Sequence, residues 1–200
     1  MRILQVNKFF FLKGGAERYF FALSELLDSR GHEIVSFSMK DPRNLPSRYS
    51  ENFVSHVTLD GSGPIAGRLR TAGRIIYSFE ARRKLRELIS RTRPDVAHLH
   101  NIAHQISPSI IGLLKSSGVP VVQTLQDYKL ACPAYLMMVR GKACDKCVPG
   151  RFYNVIANRC VQESVQASLV SCAEAYLHRL LHTFAGVDAF LCSSRFMMQV

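Results

Sequence analysis

No apolar run in this sequence approaches the ~20 residues needed to cross a bilayer. The longest early run, residues 9–12, also falls short of the apolar region of a secretory signal peptide. These absences lead to the expectation of a cytoplasmic chain. Acidic residues are scarce: 15 Asp and Glu against 26 Lys and Arg leave a formal net charge of +11. That surplus favours an anionic partner, whether nucleic acid, an acidic lipid surface or a phosphorylated small molecule. Without an export signal, the six cysteines are not expected to form a disulfide framework. What the chain does hold is apolar side chain, 48% of its residues. That is enough for a sizeable core and excludes a disordered tail. A length of 200 residues suits one domain.

The hydrophobic pattern alternates strand and helix. Residues 2–6 read as a strand, 9–15 as a loop ending in a glycine pair, and 16–29 as a helix. In that helix Tyr19, Phe20, Leu23, Leu26 and Leu27 recur at helical spacing, and Gly31 follows its end. A second strand covers residues 33–38, a polar loop 40–52, a weak third strand 53–59 and a turn 61–64. Ile65, Leu69, Ala72, Ile76 and Phe79 share one helical face. The phase slips near Arg82, and Leu85, Leu88 and Ile89 form a new face, which predicts a kinked helix or two helices. Residues 96–100 read as a strand, 104–116 as a helix ended by Gly118, and 119–125 as the most apolar strand. Periodicity is lost over 127–160, returns as a helix over 161–183, and ends in a strand at 187–192. Ser193-Ser194 is placed to cap a further helix. This alternation predicts an α/β fold with a Rossmann-like, doubly wound parallel sheet. Ligands in such sheets bind outside the carboxyl ends of the strands.

The candidate functional residues follow those strands. Gly14 and Gly15 stand between the first strand and first helix, where bare backbone and a helix N-terminus suit a diphosphate; a tight turn is the plain alternative. His98 and His100 share one strand face. His98 is expected to be buried against a helix, and His100 and Asn101 to donate or accept hydrogen bonds at the strand end. The histidines lack an assured third ligand for a metal. Gln126, Asp127 and Tyr128 follow the most apolar strand, and the Gln126 amide suits sugar hydroxyls because it both donates and accepts. Asp127 can instead serve as a structural cap. Cys172 and Cys192 read as small core residues. Cys132, Cys144, Cys147 and Cys160 crowd a stretch with little apolar content. Four thiolates there can hold Zn²⁺ or an iron–sulfur cluster, with unbound thiols and disulfides as the other readings.

Nine basic residues lie within 68–93, opposed only by Glu80 and Glu87. They read either as a solvated helix face or, with the aromatic residues 9–11, as a surface for an anionic membrane. A basic nucleic-acid-binding module with a structural zinc site is the alternative class. It is disfavoured because the basic residues lack interleaved aromatics and no helix-in-groove motif is present.

Several segments together resemble glycosyltransferase family 4. Gly14-Gly15-Ala16-Glu17-Arg18, ending in Arg30-Gly31-His32-Glu33, is similar to that family's first loop, helix and second strand. Pro94-Asp95-Val96-Ala97-His98-Leu99-His100-Asn101 resembles its fourth strand, and Val119 through Tyr128 its fifth. Ser193-Ser194-Arg195-Phe196 resembles the end of its N-terminal domain. The resemblance implies a GT-B architecture of two Rossmann-like domains. Residues 1–200 would be the acceptor-side domain, carrying a cysteine-containing insertion near 128–162, with the donor-binding C-terminal domain absent. It implies retaining transfer from a nucleotide-sugar to a sugar or lipid-linked acceptor, in cell-surface polysaccharide or glycolipid synthesis, without a catalytic metal. The expected location is the cytoplasm, at the inner face of the membrane. Gly14 and Gly15 would approach the donor diphosphate; His100, Asn101 and Tyr128 would contact acceptor or sugar. Gln126 and Asp127 would occupy the catalytic position, where the family commonly has His in place of Gln126. Gln keeps a hydrogen bond there but carries no charge.

Overall fold

A computed structural model describes residues 1–57 and 65–200, with side chains described outside 58–70. The chain divides into two compact units, Met1–Thr124 with Phe184–Leu191, and Leu125–Thr183 with Cys192–Val200.

The first unit is built on parallel strands β1 (Arg2–Val6), β2 (Glu33–Phe37), β3 (Val96–Leu99) and β4 (Val121–Leu125). Two further short strands, β5 (Met138–Val139) and β6 (Lys142–Ala143), pair only with each other, and β7 (Ala189–Cys192) completes the main sheet. The five-stranded order is β2-β1-β3-β4-β7, as expected of an open parallel α/β sheet. Helix α1 (Gly15–Ser29) crosses from β1 to β2. Helices α2 (Ile65–Ile76) and α3 (Phe79–Thr92) lead to β3, and α4 (Ile110–Ser116) joins β3 to β4. From β1 the chain first moves to one side and later to the other. Right-handed crossovers then put α1 and α4 on opposite faces.

Strand alternation sends Leu4, Val6, Val35, Phe37, Ala97, Leu99 and Val121 to one face, where they pack with Leu85 and Leu88 of α3 and Ile110, Ile111 and Leu114 of α4. On the opposite face a polar row interrupts the apolar surface usual in a parallel sheet. Register places Ser36, Gln5 and His98 in one row across β2, β1 and β3, all three buried.

Helix ends follow their sequence signals. Gly31 takes a left-handed φ of 80° after α1, its N–H bonding the Asp28 carbonyl while the His32 N–H reaches Leu27. Gly118, at φ 72°, repeats the arrangement after α4 with Lys115 and Val119–Leu114 bonds. Both are Schellman closures that glycine accommodates without strain.

Four expectations change. The 65–92 stretch is two helices that part at Tyr77-Ser78, earlier than the phase slip at Arg82, because the Ser78 hydroxyl accepts from Ala81 N and opens α3. The predicted 104–116 helix starts only at Ile110: Pro108 disfavours helical backbone before it, and His104 and Ser107 have positive φ. The expected third strand is reduced to a parallel bridge between Met39 and Val54, and its residues 58–59, like the 61–64 turn, lie outside the described residues. Phe9, Phe10 and Phe11 are core residues at 6–8% exposure, so they offer no aromatic surface to a membrane.

The second unit holds the β5–β6 antiparallel hairpin and helices α5 (Asn154–Ala157), α6 (Val165–Leu180) and α7 (Arg195–Gln199). Ser164 and Ser194 cap α6 and α7 through hydroxyls that accept from Ala167 N and Met197 N. Its buried cluster is small: Ala134, Cys147, Phe152, Val155 and Cys172. Lys129 Nζ reaches the deeply buried Glu174 at 2.9 Å and the Pro133 carbonyl at 2.9 Å, tying the 128–133 loop to α6.

Candidate functional site

In the order β2-β1-β3 the chain reverses its direction of travel between β1 and β3. The carboxyl ends of those two strands therefore flank the topological switch point, where open α/β sheets take their ligands. Asn7, fully buried, follows β1 there. Its Oδ1 accepts from Asn101 N at 3.2 Å, and its Nδ2 donates to the Phe9 carbonyl at 2.9 Å and toward Glu17 at 3.5 Å. Lys8 N donates to the Asn101 carbonyl at 2.9 Å. One side chain thus binds the loop after β1, the loop after β3 and the first turn of α1.

Gly14 is the N-cap of α1 and Gly15 its first residue. Neither has the left-handed backbone that demands glycine: Gly14 has φ −163°, an extended value any residue adopts. A Cβ on Gly14 would meet Glu17 Oε2 at an ordinary 3.7 Å, and one on Gly15 would meet nothing within 4 Å. The described chain gives no steric reason for the pair. They open a helix of 15 residues whose N-terminus carries a partial positive charge.

His100 is 2% exposed, so it is a buried group and not a residue of the open strand end. Its Nε2 pairs with Gln5 Oε1 at 2.7 Å, and its ring packs on Tyr19 and Phe20 of α1. His98 bonds the Thr124 hydroxyl at 2.7 Å, across the sheet, and its ring centre lies 4.3 Å from that of His100. Burial pushes His98 down to about 4, and burial followed by the neighbouring His98 pushes His100 down to about 3. Both are neutral at physiological pH. Among the described residues His100 Nδ1 and Gln5 Nε2 find no hydrogen-bond partner.

Gln126, Asp127 and Tyr128 belong to the second unit, immediately after β4. Asp127 Oδ1 accepts from Lys129 N at 2.9 Å, the capping role open to it from sequence. Tyr128 receives the Cys132 N–H on its carbonyl at 2.7 Å, and its ring lies 5.8 Å from that of Phe196.

Cys132, Cys144, Cys147 and Cys160 are free thiols that line one small cavity. Burial, then the other cysteines, pushes the Cys147 thiol up to about 11. Among the described residues no three His, Cys, Asp or Glu side chains are drawn close enough to hold a metal ion as they stand. Cys172 is buried in α6 and Cys192 half-buried.

Much of the basic stretch is spoken for. Arg74 pairs with Glu80 at 2.7 Å, Arg83 with Glu87 at 2.9 Å, and Arg82 bonds the Ser109 carbonyl at 2.6 Å. Arg86, Arg91 and Arg93 are exposed, while the Arg68 and Arg70 side chains lie outside the described residues. No helix among the described residues is long and apolar enough to cross a membrane.

Sequence reasoning passed over Gln5, Asn7 and Glu17. A polar residue inside β1, one just after it, and an acid at the third position of α1 were the available signals. Their connection needed the strand order.

An open parallel α/β sheet with its switch point between β1 and β3 defines a Rossmann-like ligand-binding domain. Residues 13–200 match the model of Glycosyltransferase Family 4, and the chain belongs to that family. Two solved glycosyltransferase structures are similar at 12% identity over 96% of this chain. One is Phytolacca americana UGT2 complexed with UDP-2fluoro-glucose and pterostilbene (TM-score 0.45). The other is a ugt transferase from Siraitia grosvenorii in complex with UDP (TM-score 0.41). The chain spans about half of their length, 46% and 50%. No curated protein matches the sequence.

Proposed function

We propose that residues 1–200 are the acceptor-side domain of a retaining glycosyltransferase that moves a sugar from a nucleotide-sugar to a sugar or lipid-linked acceptor. The work would be done with a C-terminal donor-binding domain, in cell-surface polysaccharide or glycolipid synthesis. The observation that carries this reading is the family match across residues 13–200.

In this reading the acceptor hydroxyl replaces the nucleoside diphosphate at the anomeric carbon. The backbone at Gly14 and Gly15 faces the departing diphosphate, with the α1 dipole supplying about 0.3–1 kcal/mol toward its charge. The open space at Gly15 leaves room for that approach. Asn101 and Tyr128 contact sugar or acceptor. His100 acts as a neutral group whose Nε2 is held by Gln5 Oε1, leaving Nδ1 without a partner among the described residues. Gln126 hydrogen-bonds the transferred sugar, and Asp127 positions it by closing the following turn. No catalytic metal takes part. Exposed Arg86, Arg91 and Arg93 would add attraction to an anionic membrane, about 1 kcal/mol for each engaged residue.

The test is release of nucleoside diphosphate from a panel of nucleotide-sugars by the complete reading frame, with acceptor present. Gly15→Val is expected to lower kcat/KM by about 100-fold or more while leaving the fold intact, since its Cβ enters open space. Residues 1–200 alone are expected to transfer nothing. An unaltered Gly15→Val enzyme would remove the glycines from the donor site, and turnover by residues 1–200 alone would overturn the division of labour.

A further inference from the structure

We propose that Cys132, Cys144, Cys147 and Cys160 bind a single Zn²⁺ as a four-thiolate structural site in the second unit, a property separate from sugar transfer. Each cysteine reaches the shared cavity from a different piece of backbone. Cys132 closes the turn from Tyr128, its N–H on the Tyr128 carbonyl at 2.7 Å. Cys144 leaves β6 with its N–H on the Met137 carbonyl at 2.8 Å. Cys147 sits in a tight turn in which Gly150 N and Arg151 N both reach its carbonyl, at 2.6 and 2.8 Å. Cys160 follows α5, bonded to the Val155 carbonyl at 3.0 Å. The Asn154 amide spans the Lys146 and Arg151 carbonyls at 2.9 Å each, fastening α5 to the turn that carries Cys144 and Cys147. A turn, a C-x-x-C segment and a helix end bordering one cavity supply the four thiolates that a tetrahedral zinc site uses.

Three further observations favour one zinc ion. The cavity is small, which favours a single ion over a multi-atom iron–sulfur cluster. The buried cluster of this unit contains only Phe152, Val155 and Ala134 besides cysteines, so apolar burial alone is a thin support. Residues 128–162 carry six cations, Lys129, Arg140, Lys142, Lys146, Arg151 and Arg159, against Asp145 alone. That surplus complements the double negative charge of a zinc tetrathiolate. Binding converts four thiols and Zn²⁺ into the tetrathiolate with release of up to four protons. The four thiols border the cavity without forming a ready metal cluster, so binding requires them to close onto the ion.

The test is metal analysis of the 200-residue chain, purified under reducing conditions without chelator and again after incubation with zinc alone. One zinc per chain is expected. Cobalt in its place should give the intense sulfur-to-metal charge-transfer and d–d bands of a tetrahedral thiolate centre. Cys144→Ser/Cys147→Ser should lose the metal, whereas Cys172→Ser and Cys192→Ser should keep it. If the double variant fails to fold, thiol counting on the unmodified chain decides: four thiols should resist an alkylating reagent until a strong chelator is added. Absence of zinc after reconstitution, an iron–sulfur chromophore, disulfides among these cysteines, or full metal in the double variant would each overturn the site.

Discussion

The first unit surrounds a sheet, and its core contains Leu4, Val6, Val35, Phe37, Leu85, Leu99 and Leu114, all at 0% exposure. The second unit has a two-residue-per-strand hairpin, short helical pieces and a buried cluster in which cysteines outnumber phenylalanines. Where apolar area is abundant, order follows from removing it from water at about 25 cal/mol per Å². Where it is scarce, order leans on specific polar ties: Lys129 to Glu174, Asn154 to two carbonyls, Ser164 over α6. The two kinds of order fail differently. A core side chain is replaced by a cavity, whereas a severed tie leaves a charge or polar group without its partner.

The largest effect is expected in the first unit. Leu114→Ala removes a fully buried side chain between α4 and the sheet, and should cost about 4 kcal/mol, read as a shift of the urea midpoint with the slope unchanged. A loss under 1 kcal/mol would mean that the apolar face is not what holds this unit.

The polar tie of the second unit comes next. Lys129→Ala removes the ammonium 2.9 Å from Glu174, a carboxylate at 1% exposure. The expected cost is about 3 kcal/mol, and the double variant Lys129→Met/Glu174→Leu should recover most of it, because an apolar pair of similar volume leaves no buried charge behind. Denaturation of both variants would sharpen the contrast. No recovery in the double variant would place the value of Lys129 in its bond to Pro133 instead.

The smallest effect per residue belongs to the polar row of the sheet. His98 and His100 titrate when folded at about 4 and about 3, below the ~6.5 of a free histidine. As pH falls, the unfolded chain takes up protons first. Stability from these groups is therefore full above about pH 6.5, declines as the pH drops, and is exhausted only below the folded values. Between pH 7 and 5 each should contribute a loss of about 2 kcal/mol. Measuring denaturant midpoints at pH 7, 6 and 5 checks the slope, and His98→Gln/His100→Gln should flatten it. An unchanged slope in that variant would assign the acid sensitivity elsewhere.

The sequence alone decided the alternation of strand and helix, the glycine closures at Gly31 and Gly118, the serine cap at Ser194 and the segments that mark the family. Those features are local: a period of two or 3.6, a positive φ, a hydroxyl three residues from an N–H. The tertiary structure decided the rest. Residues 9–11 look like an exposed aromatic loop until Tyr49, Phe20, Phe53 and the sheet close around them. His100 reads as a strand-end ligand until Gln5, 95 residues away, takes its Nε2. Asn7 carries no local signature, and it becomes the tie among β1, β3 and α1 only because the strand order is β2-β1-β3. Hydrogen bonds between distant residues leave no periodicity in a chain. Which side chains meet at the switch point is set by the crossovers that bring the strands together.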